Sequence, residues 1–326
     1  MDLTRKIVRG KKVYYLNGKI TKQESVIEYI NKLRIPPAWT DLKISLKKSA
    51  KRIVVGKDAA GRTQSIYNTC FIQKNKKIRM CNIIPFIKTL PLIREQCQEM
   101  LMSRKLSFSR AVATIVTLMD TCCPLRIGNE FYKNKYQTYG LSTIEKRHVT
   151  IEPNTITISF IGKKHLPNTK TFFKSKHKLL SRSMIQFYNN KRSDNEPFFN
   201  CVVNKRKVAI QSKMINSFLK RFGNFSAKDF RTLRANICLL EKLKKLGLYQ
   251  TKSQMKKFLI EALDYAAETL NNTRAICKSN YIIKPIITMY ENHKTKFYRI
   301  LNKHKNIEEM LIELLELCAS KRAKNF

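Results

Sequence analysis

Val149-Thr-Ile-Glu-Pro-Asn-Thr-Ile-Thr-Ile-Ser-Phe-Ile161-Gly-Lys163-Lys164 is the stretch on which the fold turns. Val149 and Ile151, then Ile156, Ile158 and Phe160, alternate with polar residues at the two-residue period of a half-buried strand, and Pro153-Asn154 marks a turn between the two sets. Gly162-Lys163-Lys164 ends the run, and residues 170–174 are placed to pair back as a hairpin. The flanking sequence carries the helical period instead. Residues 90–102 and 108–122 precede the strand, with Ser107 as cap of the second helix; 208–222, 230–246, 252–270 and 307–323 follow it. Further upstream, short apolar runs at 12–16, 52–55 and 65–72 alternate with turn signals at Asn17-Gly18 and Ala60-Gly61. Residues 23–33 read as a short helix closed by Ile35-Pro36-Pro37. The fold class is therefore α+β: a small β-rich N-terminal domain, residues 1–75, and a larger, mainly helical domain with a small β-hairpin sheet, residues 80–326. The basic segment 74–79 reads as a linker or hinge between them, with a solvated strand edge as the other reading.

At 326 residues and 43% hydrophobic, the chain can bury a real core and is no disordered basic tail. Its 65 Lys and Arg against 23 Asp and Glu leave a net charge of +42. Self-repulsion of that size calls for a polyanionic partner, and duplex DNA or RNA fits best. An anionic membrane surface is the competitor, but the charge runs from end to end instead of gathering on one amphipathic helix. The longest apolar runs, such as 112–119, fall short of the roughly 18–20 residues that span a bilayer. No apolar stretch follows Met1-Asp-Leu-Thr-Arg-Lys, so no signal peptide is expected. The cysteines (Cys70, Cys81, Cys97, Cys122, Cys123, Cys201, Cys238, Cys277 and Cys318) form no Cys-x-x-Cys pair and read as free thiols in a reducing, intracellular compartment. The five histidines show no metal-ligand spacing, so no metal is expected.

A set of basic residues leads toward one tyrosine: Pro-Leu-Arg126-Ile-Gly-Asn-Glu, Gly162-Lys163, Lys228-Asp-Phe-Arg231, then Asn272 and Tyr281. Two arginines and two lysines suit a single phosphate, and a tyrosine hydroxyl suits attack on it. Each residue alone has an ordinary reading: Arg126 as a surface arginine, Lys163-Lys164 as an exposed turn, Lys228 and Arg234 as the wet face of a helix, Asn271-Asn272 as a helix end. Together they point to strand transfer on DNA.

With its segments in this order the chain resembles the type IB DNA topoisomerases, in particular the short poxvirus-like and bacterial-like members. The likeness rests on Arg126-Ile-Gly-Asn-Glu-Phe-Tyr132, Thr138-Tyr-Gly-Leu-Ser-Thr-Ile144, Phe160-Ile-Gly-Lys163, Lys228-Asp-Phe-Arg231, Ala266-Ala-Glu and Lys278-Ser-Asn-Tyr281, and reaches upstream to Val55-Gly and Gly61-Arg-Thr-Gln-Ser-Ile-Tyr67. The resemblance implies an isomerase that relaxes supercoiled DNA. Tyr281 would attack a phosphodiester to give a 3′-phosphotyrosyl enzyme and a free 5′-hydroxyl, and rejoining would follow rotation. Exchanging one phosphodiester for another is nearly isoenergetic, so neither ATP nor metal is implied, and the chain has no Gly-x-x-x-x-Gly-Lys-Ser/Thr loop. By the same resemblance Arg126 and Arg231 would clamp the non-bridging oxygens, Lys163 would protonate the leaving 5′ oxygen, and Lys228 would give a secondary phosphate contact. Arg62, Gln64, Tyr67, Tyr132 and Lys164 would touch DNA, and a monomer would clamp the duplex.

The family carries a histidine nine residues before the tyrosine, where this chain has Asn272. An asparagine donates a hydrogen bond but takes no proton charge, so a working, slower site is expected, without a histidine-like titration near pH 6.5. An inflection there would point to another histidine such as His165. Ser65 and Asn129 stand where poxvirus members have tyrosine and lysine, so their strong short-sequence preference is not expected. The rivals are a tyrosine recombinase, which would show His-x-x-Arg in place of Lys228-Asp-Phe-Arg231, and a non-enzymatic DNA binder, for which the charge alone would suffice. Heavy use of Lys, Asn and Ile suggests an AT-rich genome, viral in preference to bacterial. Residues 307–317 read as a core-packing helix, with a partner interface as the alternative.

Overall fold

The computed structural model describes residues 3–323 apart from Gly10, Lys48, Cys123, Asn204 and Lys205, so Cys123 and residues 324–326 lie outside the described residues. The chain divides into two compact units, Met1–Met80 and Cys81–Phe326.

The first unit is an antiparallel sheet of β1 (Leu3–Val8), β2 (Lys11–Leu16), β3 (Lys19–Ile20), β4 (Thr40–Ile44), β5 (Arg52–Lys57) and β6 (Thr63–Tyr67), in the order β3-β2-β1-β4-β5-β6. The Asn17-Gly18 signal is a two-residue hairpin turn with φ 50° and 82°, the left-handed pair that keeps Leu16 opposite Lys19. Helix α1 (Glu24–Lys32) lays Val26 and Ile30 onto Leu3, Leu42, Ile44 and Val54. The apolar run predicted to 72 ends as a strand at Tyr67. Asn68 then accepts the Cys70 N–H at 2.9 Å and opens helix α2 (Thr69–Met102). The predicted linker 74–79 is therefore helical. Nothing between residues 69 and 84 breaks a helix, and Lys74, Lys76 and Lys77 are its solvated face, not the sign of a loop.

The second unit is mainly helical. After α2 come α3 (Phe108–Thr117) and α4 (Glu130–Tyr136), then the sheet β7 (Val149–Ile151), β8 (Thr155–Ile161) and β9 (Pro167–Phe173). Next are α5 (Lys178–Asn189), the hairpin β10 (Asn200–Val203) and β11 (Arg206–Ala209), α6 (Ser212–Lys220), α7 (Ala227–Leu246) and α8 (Lys252–Thr269). Four helices close the chain: α9 (Arg274–Asn280), α10 (Lys284–Asn292), α11 (Lys294–Lys303) and α12 (Ile307–Ala323). The β7–β8–β9 register pairs Val149 with Ile158 and Ile158 with Lys170, as the alternation predicts. Ser107 caps α3, its Oγ accepting the Arg110 N–H at 3.2 Å. That helix is α only to Thr117; Leu118–Cys122 is a π turn just ahead of Pro124, where Asp120 meets Arg94 at 2.8 Å. The helix predicted over 208–222 begins at Ser212, because Val208 pairs with Cys201 in the β10–β11 hairpin. Helix α12 turns Met310, Leu311, Leu314 and Leu315 inward, and Arg94 also grips its Glu308 at 2.8 Å, so it packs on the core. Helix α7 is buried on most of its surface, with Phe230 edge-on to Phe86 at 5.0 Å, which makes it the rigid rod on which the site is built.

Candidate active site

Two glycines fix Arg126. The loop 126–128 passes the loop 139–142 in backbone contact, and a Cβ on Gly140 would lie 2.4 Å from the Gly128 Cα. Gly128 also takes φ 91°. Leu141 N–H donates to the Arg126 carbonyl at 2.8 Å, and Ser142 holds the Ile127 carbonyl through both N–H and Oγ at 2.7 Å. The same loop reaches the hairpin, Tyr139 N–H donating to the Ile161 carbonyl at 2.8 Å, one residue before Gly162-Lys163. Glycine spacing in the sequence is thus the backbone geometry that brings Arg126 and Lys163 to one cleft, of about 110 Å³, with Lys164, Asn168, Asn271 and Asn272 on its walls.

Lys163 opens the tip of the β8–β9 hairpin, where Lys164 and His165 take left-handed φ of 66° and 55°. Its side chain keeps an exposed flank. Partial desolvation first, then the Arg126 and Lys164 cations, push its pKa below the usual lysine value, with Tyr281 opposing.

Lys228 and Arg231 lie three apart in the first turns of α7, on one face, as the spacing predicts. Asp229 anchors that helix end, its Oδ2 accepting from Ser226 N and Oγ at 2.8 and 2.9 Å. Arg231 is 4% exposed, and all three of its guanidinium nitrogens are engaged. Nε donates to the Tyr281 hydroxyl at 3.3 Å, Nη1 to the Pro124 carbonyl and Nη2 to the Leu270 carbonyl at 2.9 Å. Burial pushes its pKa down, and Tyr281 works against that shift. The Lys228 ammonium sits 5.2 Å from the centre of the Tyr281 ring.

Arg126 Nη2 donates to Asn272 Oδ1 at 2.9 Å, and Asn272 Nδ2 donates to the Leu270 carbonyl at 3.2 Å. Leu270 O is therefore shared by both arginine arms. Asn271 and Asn272 are also the helix end that their sequence suggests. Asn271 has φ 50°, its N–H donates to Glu268 O, and the Asn272 N–H donates to Ala267 O, which closes α8 in a left-handed cap.

Tyr281 terminates α9, its N–H on the Cys277 carbonyl at 2.9 Å, and is 5% exposed. Its backbone is held by Asn236, a residue the sequence reading passes over. Asn236 Nδ2 donates to Tyr281 O at 2.9 Å, and its Oδ1 accepts the Ile283 N–H at 3.0 Å. An asparagine inside a helix looks like a surface residue in a sequence; only its place two turns into a buried helix hints otherwise. Asn236→Ala leaves both buried backbone groups without partners, so a loss of about 2 kcal/mol in denaturant unfolding is expected, together with slower chemistry.

The other predicted contacts belong to other elements. Tyr132 is half exposed on α4, which buries none of its residues, and lies against Phe131 and Tyr136. Asn129 uses its side chain to cap that helix, accepting the Phe131 N–H at 2.8 Å. Arg62, Gln64 and Tyr67 belong to the first unit. There Asp58 Oδ2 gathers Arg62 Nε and Gln64 Nε2, each at 2.9 Å, and Tyr67 stacks on Phe71 at 6.2 Å. Among the described residues no cluster of His, Cys, Asp or Glu is arranged to hold a metal ion, and no helix is long and apolar enough to cross a membrane.

Comparison with known proteins agrees with this geometry. The family model of the eukaryotic DNA topoisomerase I catalytic core matches residues 70–311. The chain is 28% identical to DNA topoisomerase 1B of Acanthamoeba polyphaga mimivirus over 324 residues, covering 93% of this chain and 91% of that protein. It is 24% identical to DNA topoisomerase I of Monkeypox virus over 301 residues, covering 86% and 90%. A fungal relative, DNA topoisomerase 1 of Mycosarcoma maydis, is 26% identical over 215 residues but only 20% of its length is matched. The recombinase and the non-enzymatic binder are thereby set aside, and the chain belongs to the type IB DNA topoisomerases, among their short poxvirus-like members.

Proposed function

We propose that this chain relaxes supercoiled duplex DNA by nicking one strand through Tyr281 and resealing it, without nucleotide or metal cofactor. The observation that carries the reading is the Arg231 guanidinium, held by two backbone carbonyls with its Nε on the Tyr281 hydroxyl. That orientation stabilises the phenolate as it forms and the phosphoryl oxygens beside it. In the cleavage step Oη bonds to phosphorus, the P–O5′ bond breaks, the phenol proton leaves to solvent, and the Lys163 ammonium gives its proton to the 5′ oxygen. Resealing reverses each transfer. Arg126, braced by Asn272, takes the non-bridging oxygens with Arg231. Lys228 sits in the first turn of α7, where the helix's own partial positive charge disfavours a cation; a bound phosphate offsets that repulsion. The Arg231–Tyr281 bond is buried, so a phosphate reaches it only when the side chains covering it part.

The enzyme acts as a monomer clamping its duplex. Arg62, Gln64, Tyr67, Tyr132 and Lys164 contribute DNA contacts, and the site of action is inside a virus-infected cell or virion, the setting suggested by the viral relatives. Detergent trapping on supercoiled plasmid, followed by mapping of the DNA-linked peptide, tests the reading. A 3′-linked adduct on Tyr281 is expected, and linkage elsewhere overturns it.

The pH profile follows from Lys163. A general acid must be protonated, so single-turnover cleavage is expected to fall at alkaline pH, with a midpoint below the usual lysine value of about 10.4. No inflection is expected near pH 6.5, because position 272 carries no imidazole.

A further inference from the structure

The turn Asn271-Asn272 meets Arg126 directly, shares a carbonyl with Arg231, and reaches the hairpin that carries Lys163. Asn272 meets Arg126, and both it and Arg231 reach Leu270 O. Asn271 faces the other way, and its Nδ2 donates to the Pro167 carbonyl at 2.6 Å, across 104 residues of chain. Pro167 is the first residue of β9 and pairs with Ile161 at the base of the tip that presents Lys163.

We propose that Asn271 is a positioning residue for the leaving-group acid: its side-chain amide latches the β8–β9 hairpin, and with it Lys163, to the turn that leads into Tyr281. Capping alone does not explain the residue. The cap uses only the backbone N–H groups of 271 and 272, and glycine is the residue most at ease at a left-handed φ. The amide adds a bond that the helix end does not need. The hairpin tip does need one. Gly162 N–H and Asn168 Nδ2 both donate to Leu166 O, at 2.8 and 2.9 Å, yet two consecutive non-glycine residues sit at strained left-handed φ. Such a tip has other conformations close in energy. A grip at its base decides whether Lys163 stays over the cleft. Asn271 is only half buried, so water competes for its amide.

The inference rests on Lys163 being the proton donor, and one substrate separates the two claims. In DNA whose scissile 5′-bridging oxygen is replaced by sulfur, the P–S bond breaks to release a thiolate that needs no proton. Asn271→Gly keeps the left-handed turn and removes only the amide. It is expected to cleave ordinary DNA about tenfold more slowly in a single turnover, and the sulfur substrate within about twofold of the parent rate. Asn271→Asp, which keeps the shape but loses the donor, is expected to show the same selective defect. Lys163→Ala is the control, with a larger loss on oxygen that sulfur restores. An equal loss of Asn271→Gly on both substrates, or none on either, overturns the latch. A Lys163→Ala defect that persists on sulfur overturns the proton-donor reading and the latch with it.

Discussion

Tyr281→Phe is expected to bind duplex DNA with the parent's affinity and to relax none of it. Removing the attacking oxygen removes the covalent route, so cleavage falls by about 10⁵-fold or more, below detection in a plasmid assay. The phenyl ring retains the packing, including its place beside the Lys228 ammonium 5.2 Å away. What it loses is the acceptor for Arg231 Nε. A buried donor left without a partner costs about 1–3 kcal/mol, so a modest fall in Tm accompanies the loss of activity. Filter binding and detergent trapping on one preparation separate the effects. Full binding without an adduct is the expected pair, whereas an adduct in the Phe chain removes Tyr281 from the mechanism.

Arg231→Ala has the second-largest expected effect. It withdraws the donor aimed at the developing negative charge, for which a loss of about 10²–10³-fold in cleavage at saturating DNA is expected. It also leaves Pro124 O and Leu270 O without the guanidinium that holds them. Arg231→Lys does not restore the rate. A single ammonium cannot span a phenol oxygen and two carbonyls on separate segments as the planar fork does. Sulfur at the 5′ position rescues neither variant, because the defect lies at the phosphoryl oxygens and not at the leaving group. Rescue would assign Arg231 to proton transfer instead.

Much of this site was legible because its chemistry sits on regular elements. The alternation through Phe160 placed Lys163 at a strand end, and the three-residue spacing placed Lys228 and Arg231 on one helix face. The backbone crossing of Gly128 and Gly140 was not legible and emerged only in the structure. What stayed hidden were contacts between a polar side chain and a distant carbonyl or N–H, such as Asn236 to Tyr281 and Asn271 to Pro167, because they leave no period in the sequence. In the fold, α9, α10 and α11 escaped notice because each is ten residues or shorter and α10 and α11 are separated only by His293, so no stripe develops. The β10–β11 hairpin was masked by the helical pattern of the segment after it. The segment 74–79 reads as a linker and does run up to the boundary between the two units at Met80, but as part of helix α2, with Lys74, Lys76 and Lys77 solvated.

Leu270 contributes to the centre through an atom that its gene cannot change. Its carbonyl receives one hydrogen bond from Arg231 and another from the asparagine that braces Arg126. Any amino acid at that position supplies the same oxygen, so substitution scanning reports only the loss of the buried Leu270 side chain from the core and misses the carbonyl that joins two halves of the machinery. Drift in the codon leaves that junction untouched, whereas an insertion or deletion in the turn shifts both guanidinium groups at once. A replacement there costs core packing alone, whereas a change of loop length costs both arginines; that difference is the genetic signature such a junction leaves.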